Sequence, residues 1–200
     1  MEIDLQALES RHAHDLLGSA MIPRPIAWVS TLNPNNTTNL APFSFFTGVS
    51  WSPPILAFSP VNRADGSKKD TVCNIETTPE FVVHMVSIEL LQAMEASARP
   101  ILVGQDEEQV PVTLVPSRIV RPLRIAQAKV AFECTLERIV RLNEGPNAGN
   151  LILGRVQMLH VADTLVKNGR EIDWQGLDVL GRLSGNRYCT THDMLESETN

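Results

Sequence analysis

The chain has 200 residues, 43% of them hydrophobic, and a formal charge of -6. That is enough apolar material to bury the core of one domain, and the charge argues against nucleic acid or an anionic membrane as the main partner, because such binding is driven by Lys and Arg. There is no basic-then-apolar leader and no apolar run near ~18 residues, so neither secretion nor a membrane span is expected; the three widely spaced cysteines, Cys73, Cys134 and Cys189, are expected as free thiols in a reducing cytoplasm.

In chain order, Ile3, Leu5, Leu8, Leu16 and Leu17 lie among charged residues and predict a short amphipathic helix or two over residues 2–17, ended by Gly18. Ile26 to Thr31 is an apolar and β-branched run between Pro23, Pro25 and the turn cluster Asn33-Pro34-Asn35-Asn36. It predicts a strand followed by a tight turn. Residues 39–50 resume the strand pattern, Pro53-Pro54 interrupts it, and Ile55 to Ser59 makes a third short strand. Hydroxyls and amides crowd these runs beside aromatic side chains, a wall suited to a ligand that is partly polar and partly flat and apolar. Strand alternation puts Phe43 and Phe45 on one face and Ser44 and Phe46 on the other.

Asp70 is placed to cap a short helix through Thr77, its carboxylate accepting first-turn amides, and residues 80–86 predict another strand. Ser87 is placed to cap a helix over Ile88 to Ala98, with Leu90, Leu91 and Met94 on one face. Four prolines and the acidic triplet Asp106-Glu107-Glu108 mark residues 99–127 as the least regular region. Short strands are expected there at 112–115 and 117–120, over one barrel mouth or at a subunit interface. Val130, Phe132, Cys134 and Leu136 alternate with Ala131, Glu133, Thr135 and Glu137, and Val140 and Leu142 keep that parity, giving a strand with one buried face. It turns through residues 144–149 and returns over 151–161. Asn168-Gly169 predicts a hairpin turn with positive φ at both positions. Residues 182–188 make a compact basic and aromatic element, and residues 191–200 read as a frayed tail. Together these describe one mainly β domain over residues 1–200, a closed or nearly closed barrel decorated by two or three helices.

The run PRPIAWVST, then NLAPFSFF, SWSPP and KKDTVCNI, and later FECTLERI, NLILGRV and RLSGNRY, resembles the flavin-reductase-like family of FMN-binding split barrels, in its flavoredoxin-type branch. The blocks keep the family's order over nearly the whole chain. The resemblance implies a mainly β, FMN-binding split β-barrel with a few peripheral helices. It implies FMN as cofactor, with the phosphate held by Ser30, Thr31, Ser59, Lys69 and Thr71, and Arg63 added from the preceding turn. The ring would lie against Asn39, Leu40, Ala41, Pro42, Ser44 and Phe45, with Trp28 and Phe58 able to wall it. A phosphate asks for hydroxyls, amides and a cation, and a flat ring asks for a dry slot with a few polar groups at its edge. On composition alone Lys69 reads as a solvated lysine, Thr71 as a first-turn residue, and the aromatic residues as core. Arg182 and Tyr188 match the family's closing block; they cover the cofactor pocket or contact a partner subunit, or else pack the barrel end. The stretch EEQVPVTL lacks the family's Ala-Gly pair, and His14 stands where the family often has an aromatic residue.

The function so implied is that of an FMN-binding oxidoreductase, foremost an NAD(P)H-dependent flavin reductase. The protein would be cytoplasmic and homodimeric, with NADH or NADPH as donor and an electron acceptor that the sequence does not name. No catalytic residue and no metal ligand is assigned, since the flavin carries the chemistry. His12 and His14 do not face one another on a helix, and His84 and His160 read as structural. Cys73 reads as small buried packing. Without a G-x-G-x-x-G fingerprint or phosphate loop, a nicotinamide nucleotide would dock against the flavin with no Rossmann domain. The alternatives are an FMN-binding electron carrier or sensor without reductase turnover, and a split-barrel relative that has lost flavin and serves as an interaction module.

Overall fold

A computed structural model describes residues 1–98, 110–193 and 195. Its helices are α1 (Ser10–Ala20), α2 (Asp70–Thr77), α3 (Leu91–Ser97) and α4 (Trp174–Leu177). Short strand β1 (Arg24–Pro25) leads into β2 (Ala27–Leu32), β3 (Thr38–Phe43), β4 (Phe46–Trp51), β5 (Pro54–Phe58) and β6 (Glu80–Met85). The pair β7 (Leu114–Val115) and β8 (Arg124–Ile125) precedes the long strands β9 (Val130–Arg141) and β10 (Asn150–Val161). Two small hairpins follow, β11 (Val166–Lys167) with β12 (Glu171–Ile172), and β13 (Gly181–Arg182) with β14 (Tyr188–Cys189).

Seven strands form one sheet in the order β3, β2, β6, β9, β10, β5, β4, every neighbouring pair antiparallel. Its outermost strands, β3 and β4, are consecutive in the chain and joined only by Ser44 and Phe45. Three residue steps span at most about 11 Å, so the sheet must curl until its two edges meet. The edges nevertheless form no ladder with one another. The result is the expected mainly β barrel, split along one seam.

The barrel interior gathers Val29, Phe43, Phe58, Phe81 and Ile152, with Val72 and Ile75 contributed by α2. Phe58 sits between Phe43 and Phe81, with ring centroids 5.4 and 5.5 Å away, and burying each such side chain contributes about 2–3 kcal/mol. A second cluster, Trp28, Val86, Leu90, Met94 and Ile125, covers the other face of β2 under α3. Strand β2 is therefore buried on both faces. Strand alternation sends Val29 and Thr31 toward α2, and Trp28 and Ser30 toward α3 and the 117–125 loop.

Several expectations change here, each for a local reason. The β9 to β10 hairpin forms as expected, but its parity does not hold to the end. Leu153 pairs with Arg138 and Gly154 with Leu136, so Glu137 is an extra residue and the strand bulges. Past the bulge Ile139 faces the core, while Val140 and Leu142 are exposed. Opposite the bulge Gly154 is obligatory, since a Cβ there would stand 2.3 Å from the Phe81 ring. Only Leu114–Val115 of the expected strand at 112–115 forms, and residues 117–120 are a loop wrapped on the fully buried Glu133. The backbone amides of Arg118, Ile119 and Val120 donate to that carboxylate at 2.7, 2.6 and 3.2 Å, and His160 Nε2 donates at 2.5 Å.

Gly18 does not end α1 but lies inside it, and the leucines of that segment cover little: Ile3, Leu5 and Leu17 are exposed. Asp70 occupies the first turn of α2 and pairs with Arg63, leaving Lys69 at the cap position. Ser87 Oγ donates to Glu89, and its helix begins as a 3-10 turn at Ile88–Leu90. Cys73 is exposed, not packed; Cys134 is buried and Cys189 half-buried, and all three are free thiols. The alternation expected over 43–46 breaks because the strand itself ends at Phe43 and a new one starts at Phe46. Asn168 and Gly169 both have positive φ, as the turn requires. The acidic triplet lies outside the described residues, as do Arg99, Pro100 and most of the expected tail.

Candidate functional site

At the seam of the barrel a cleft of about 650 Å³ opens. The two-residue link that forces the barrel closed also lines it, through Ser44 and Phe45, with Pro42 beside them. Ser59 and Lys69 make one wall. Arg11 and His14 of α1 and Arg182 and Tyr188 of the last hairpin enclose it from other sides, with Glu95 of α3.

Arg24 holds these pieces together. Its Nη1 donates to the carbonyls of Gly18 and Met21, the latter at 2.7 Å, its Nη2 to Leu183 at 3.0 Å, and its Nε reaches Ser44 Oγ at 3.4 Å. The carbonyls of Gly18 and Met21 belong to the end of α1, where a cation is favoured. One guanidinium so fastens α1, the seam link and the β13 to β14 hairpin. It also stands 5.8 Å from the Phe45 ring, and His14 meets the same ring edge-on at 5.9 Å. Burial, and then the neighbouring Arg182 charge, pull the Arg24 guanidinium below its usual range.

Lys69 is half-buried, with Nζ 5.6 Å from the Phe43 ring centroid. Burial, and then the charge of Arg63, lower its pKa. No carboxylate among the described residues pairs with it. An anion placed beside it would relieve both effects. Arg182 donates to the Tyr188 hydroxyl and lies 4.7 Å from that ring, and the Tyr188 hydroxyl in turn donates to Glu95 at 3.1 Å. Burial pushes the Tyr188 phenol up, with Glu95 adding to it. The cleft therefore carries Arg11, Arg24, Lys69 and Arg182 against Asp15 and Glu95, a cationic site on a chain of net charge -6.

The residues expected at the cofactor fall into separate groups. Pro42, Ser44, Phe45, Ser59 and Lys69 line the cleft. Thr31, Asn39 and Thr71 come together behind it. Asn39 Nδ2 donates to Thr31 and Thr71 hydroxyls at 3.1 and 3.2 Å, and Asn74 Nδ2 donates to Thr31 at 3.0 Å and Asn33 at 2.8 Å. This network pins the start of α2 to β2 and β3 and so positions Lys69. Ser30, fully buried, donates to the Leu123 carbonyl at 2.6 Å, away from the cleft. Trp28 and Phe58, expected as walls, have no exposed surface: Trp28 donates to Ser97 at 2.9 Å within the second cluster, and Phe58 fills the interior. Leu40 and Ala41 pack against the two clusters. Arg63 is exposed and bonded to Asp70 at 2.7 Å. The residues missed were Arg24, Arg11 and Glu95. A lone Arg between two prolines, just past a helix end full of unpaired carbonyls, was the available signal for the first.

His84 is structural, as read from the sequence. It is fully buried, with Nδ1 donating to the Trp28 carbonyl at 2.9 Å and Nε2 accepting from the Ile125 amide at 3.0 Å. Burial pushes its pKa down to about 4, so it is neutral at physiological pH. Burial, and then Glu133, push the Cys134 thiol up to about 12, which makes it inert. Among the described residues there is no group of His, Cys, Asp and Glu able to hold a metal ion, and no helix long and apolar enough to cross a membrane.

A split β-barrel with a cationic cleft at its seam is the class that fold and site define. Residues 18–174 match the family described as flavin reductase like domain, and the chain belongs to that family, whose members are flavin-related oxidoreductases. It is similar in structure to nitrilotriacetate monooxygenase component B from Bacillus cereus, with a TM-score of 0.91, 30% identity and 98% of each chain covered. It is also similar to the 2-nitrobenzoate 2-nitroreductase of Pseudomonas fluorescens, with a TM-score of 0.89 and 26% identity over 100% of this chain and 96% of that one. The YwrF protein of Bacillus subtilis is 37% identical over 191 residues, 91% of this chain and 90% of the relative.

Proposed function

We propose that this protein is an FMN-binding flavin reductase that takes electrons from NADH or NADPH. The observation that carries the reading is the cationic cleft at the barrel seam, lined by an ammonium and a hydroxyl, Lys69 and Ser59, that no described residue engages. Lys69 and Ser59 hold the FMN phosphate there, by charge and by hydrogen bond. Phe45, Pro42 and the Ser44 hydroxyl border the ring, and Thr31, Asn39 and Thr71 fix the helix that presents Lys69. Bound flavin supplies two-electron chemistry at a flat ring, and the residues around it bind, orient and exclude water. The donor docks in the open part of the cleft, between α1 and the last hairpin.

The protein is further read as a cytoplasmic homodimer made of one domain per chain. The dimer is supported by apolar surface left uncovered near the seam: Val49 and Trp51 of β4 and Leu17, Met21 and Ile22 beside α1 are exposed, Trp51 almost completely. Surface of that kind is an expected partner face. Anaerobic mixing of the FMN-loaded protein with NADH and with NADPH tests the reading. Rapid bleaching of flavin absorbance, then many turnovers with excess FMN, is expected. Bleaching without turnover would assign an electron carrier, and no bleaching by either nucleotide would overturn the reductase.

A further inference from the structure

Lys69 answers one anion, but the cleft carries a second set of cations that one phosphate does not use. Arg182 and Arg24 sit together, for Arg24 donates to the carbonyl of Leu183, the residue after Arg182. The two differ in what they have left to offer. Arg24 spends its donors on three carbonyls and a hydroxyl, so it contributes charge and position. Arg182 gives a hydrogen bond to the Tyr188 hydroxyl and makes no other side-chain hydrogen bond among the described residues. A guanidinium has five N–H donors in a fixed fork.

Its orientation is set as well. The Tyr188 ring lies 4.7 Å beneath the guanidinium, and the Tyr188 hydroxyl is engaged by Glu95 on α3, so the platform cannot swing freely. A fork held over an aromatic ring and tied to its hydroxyl loses little entropy on meeting a planar or tetrahedral oxyanion. No carboxylate among the described residues takes that place.

We propose that Arg182, stacked on Tyr188 and backed by Arg24, is the specificity-determining contact for a second, anionic ligand that docks beside the flavin. Its chemistry is a phosphate or carboxylate group, carried either by a nicotinamide nucleotide or by an organic acid acceptor. This rests on the proposed function, since the first anion is taken to be the FMN phosphate.

The test is calorimetric titration of the FMN-loaded protein with adenosine 2′,5′-bisphosphate, with benzoate, and with adenosine as the uncharged control. At least one anion is expected to bind, and adenosine more weakly. Binding of the bisphosphate alone assigns the nucleotide as the source, and binding of benzoate assigns the organic acid. Arg182→Gln should weaken the anion by roughly tenfold or more, as loss of a charge-assisted bond does, with FMN affinity held within about twofold. Arg182→Lys should recover only part of the loss, because it restores charge without the fork. The proposal is overturned if neither anion binds the wild-type protein, or if Arg182→Gln binds as wild type. It is also overturned if Arg182→Gln loses FMN as Lys69→Ala does, because one ligand then spans both cations. Failure of the wild-type protein to take up FMN would instead strike the proposed function, and the same titrations on the flavin-free protein would still read Arg182.

Discussion

The barrel wall and the seam both take charge out of water, and they are finished differently. On the barrel wall Glu133 is fully buried, and the chain itself supplies every partner, three consecutive amides and a histidine. At the seam Lys69 and Arg182 are half-buried and keep donors that the described residues do not use. Burial raises the Glu133 pKa, but the Arg118 amide, His160 and the next two amides outweigh it, and the carboxyl ends below its ordinary range. Burial at Lys69 meets no such compensation, and its pKa simply falls. A charge answered from within is architecture, whereas a charge left unanswered in a cleft is an invitation to a ligand.

The sharpest way to break the comparison is to remove the self-satisfied charge. Glu133→Ala leaves three amides and a histidine without their acceptor and should cost roughly 3–5 kcal/mol in urea unfolding. The protein that remains folded should bind FMN with unchanged affinity. A large loss of flavin binding would mean that the two sites are not separate.

Acid should act on the wall before it acts on the seam. His84 is held neutral in the folded protein with a pKa of about 4, against 6.5 when free, so the unfolded chain binds the extra proton first. Stability is then full above pH 6.5 and falls as pH drops toward 4, by about 3 kcal/mol for this one group. Glu133 adds to the loss only below about pH 4.5, because its folded pKa is depressed. Urea unfolding from pH 7 to 4, with the His84 ring followed by NMR, checks this. A protonated imidazole in folded protein at pH 5.5 would contradict it.

At the seam the effects are smaller and appear in binding. Lys69→Ala should weaken FMN by about 1.5–3 kcal/mol, the range for a hydrogen bond to a charged group. Asn39→Ala loosens the network behind Lys69 and should cost about 1 kcal/mol of stability, with a weaker loss of FMN affinity than Lys69→Ala. Equal loss in both variants would place Asn39 at the ligand.

Much of the fold was legible because strand alternation, proline punctuation and the Asn168-Gly169 turn are local signals. The bulge at Glu137 was not, since the same alternating letters fit either parity until the Phe81 ring and Gly154 decide which side is inside. Glu133 looked like an exposed member of a period-two strand. Only the loop that returns from residues 117–120 makes it a buried hub, and that contact is remote in sequence. The site was half legible for the same reason. Ser44, Phe45 and Lys69 lie in continuous blocks and reach the cleft with Ser59, while Trp28 and Ser30 lie in those blocks but on a strand covered from both sides, and Phe58 turns into the barrel interior. Arg24 joins pieces from three parts of the chain, so no single stretch announced it.

The central claim is that the seam cleft grips a flavin by its phosphate. Titration of the flavin-free protein with FMN and with riboflavin, at low and high salt, tests it directly. FMN should bind at least roughly tenfold tighter than riboflavin at low salt, with the gap narrowing as salt rises and in Lys69→Ala. Equal affinity for the two flavins at low salt, or binding of neither, would contradict it.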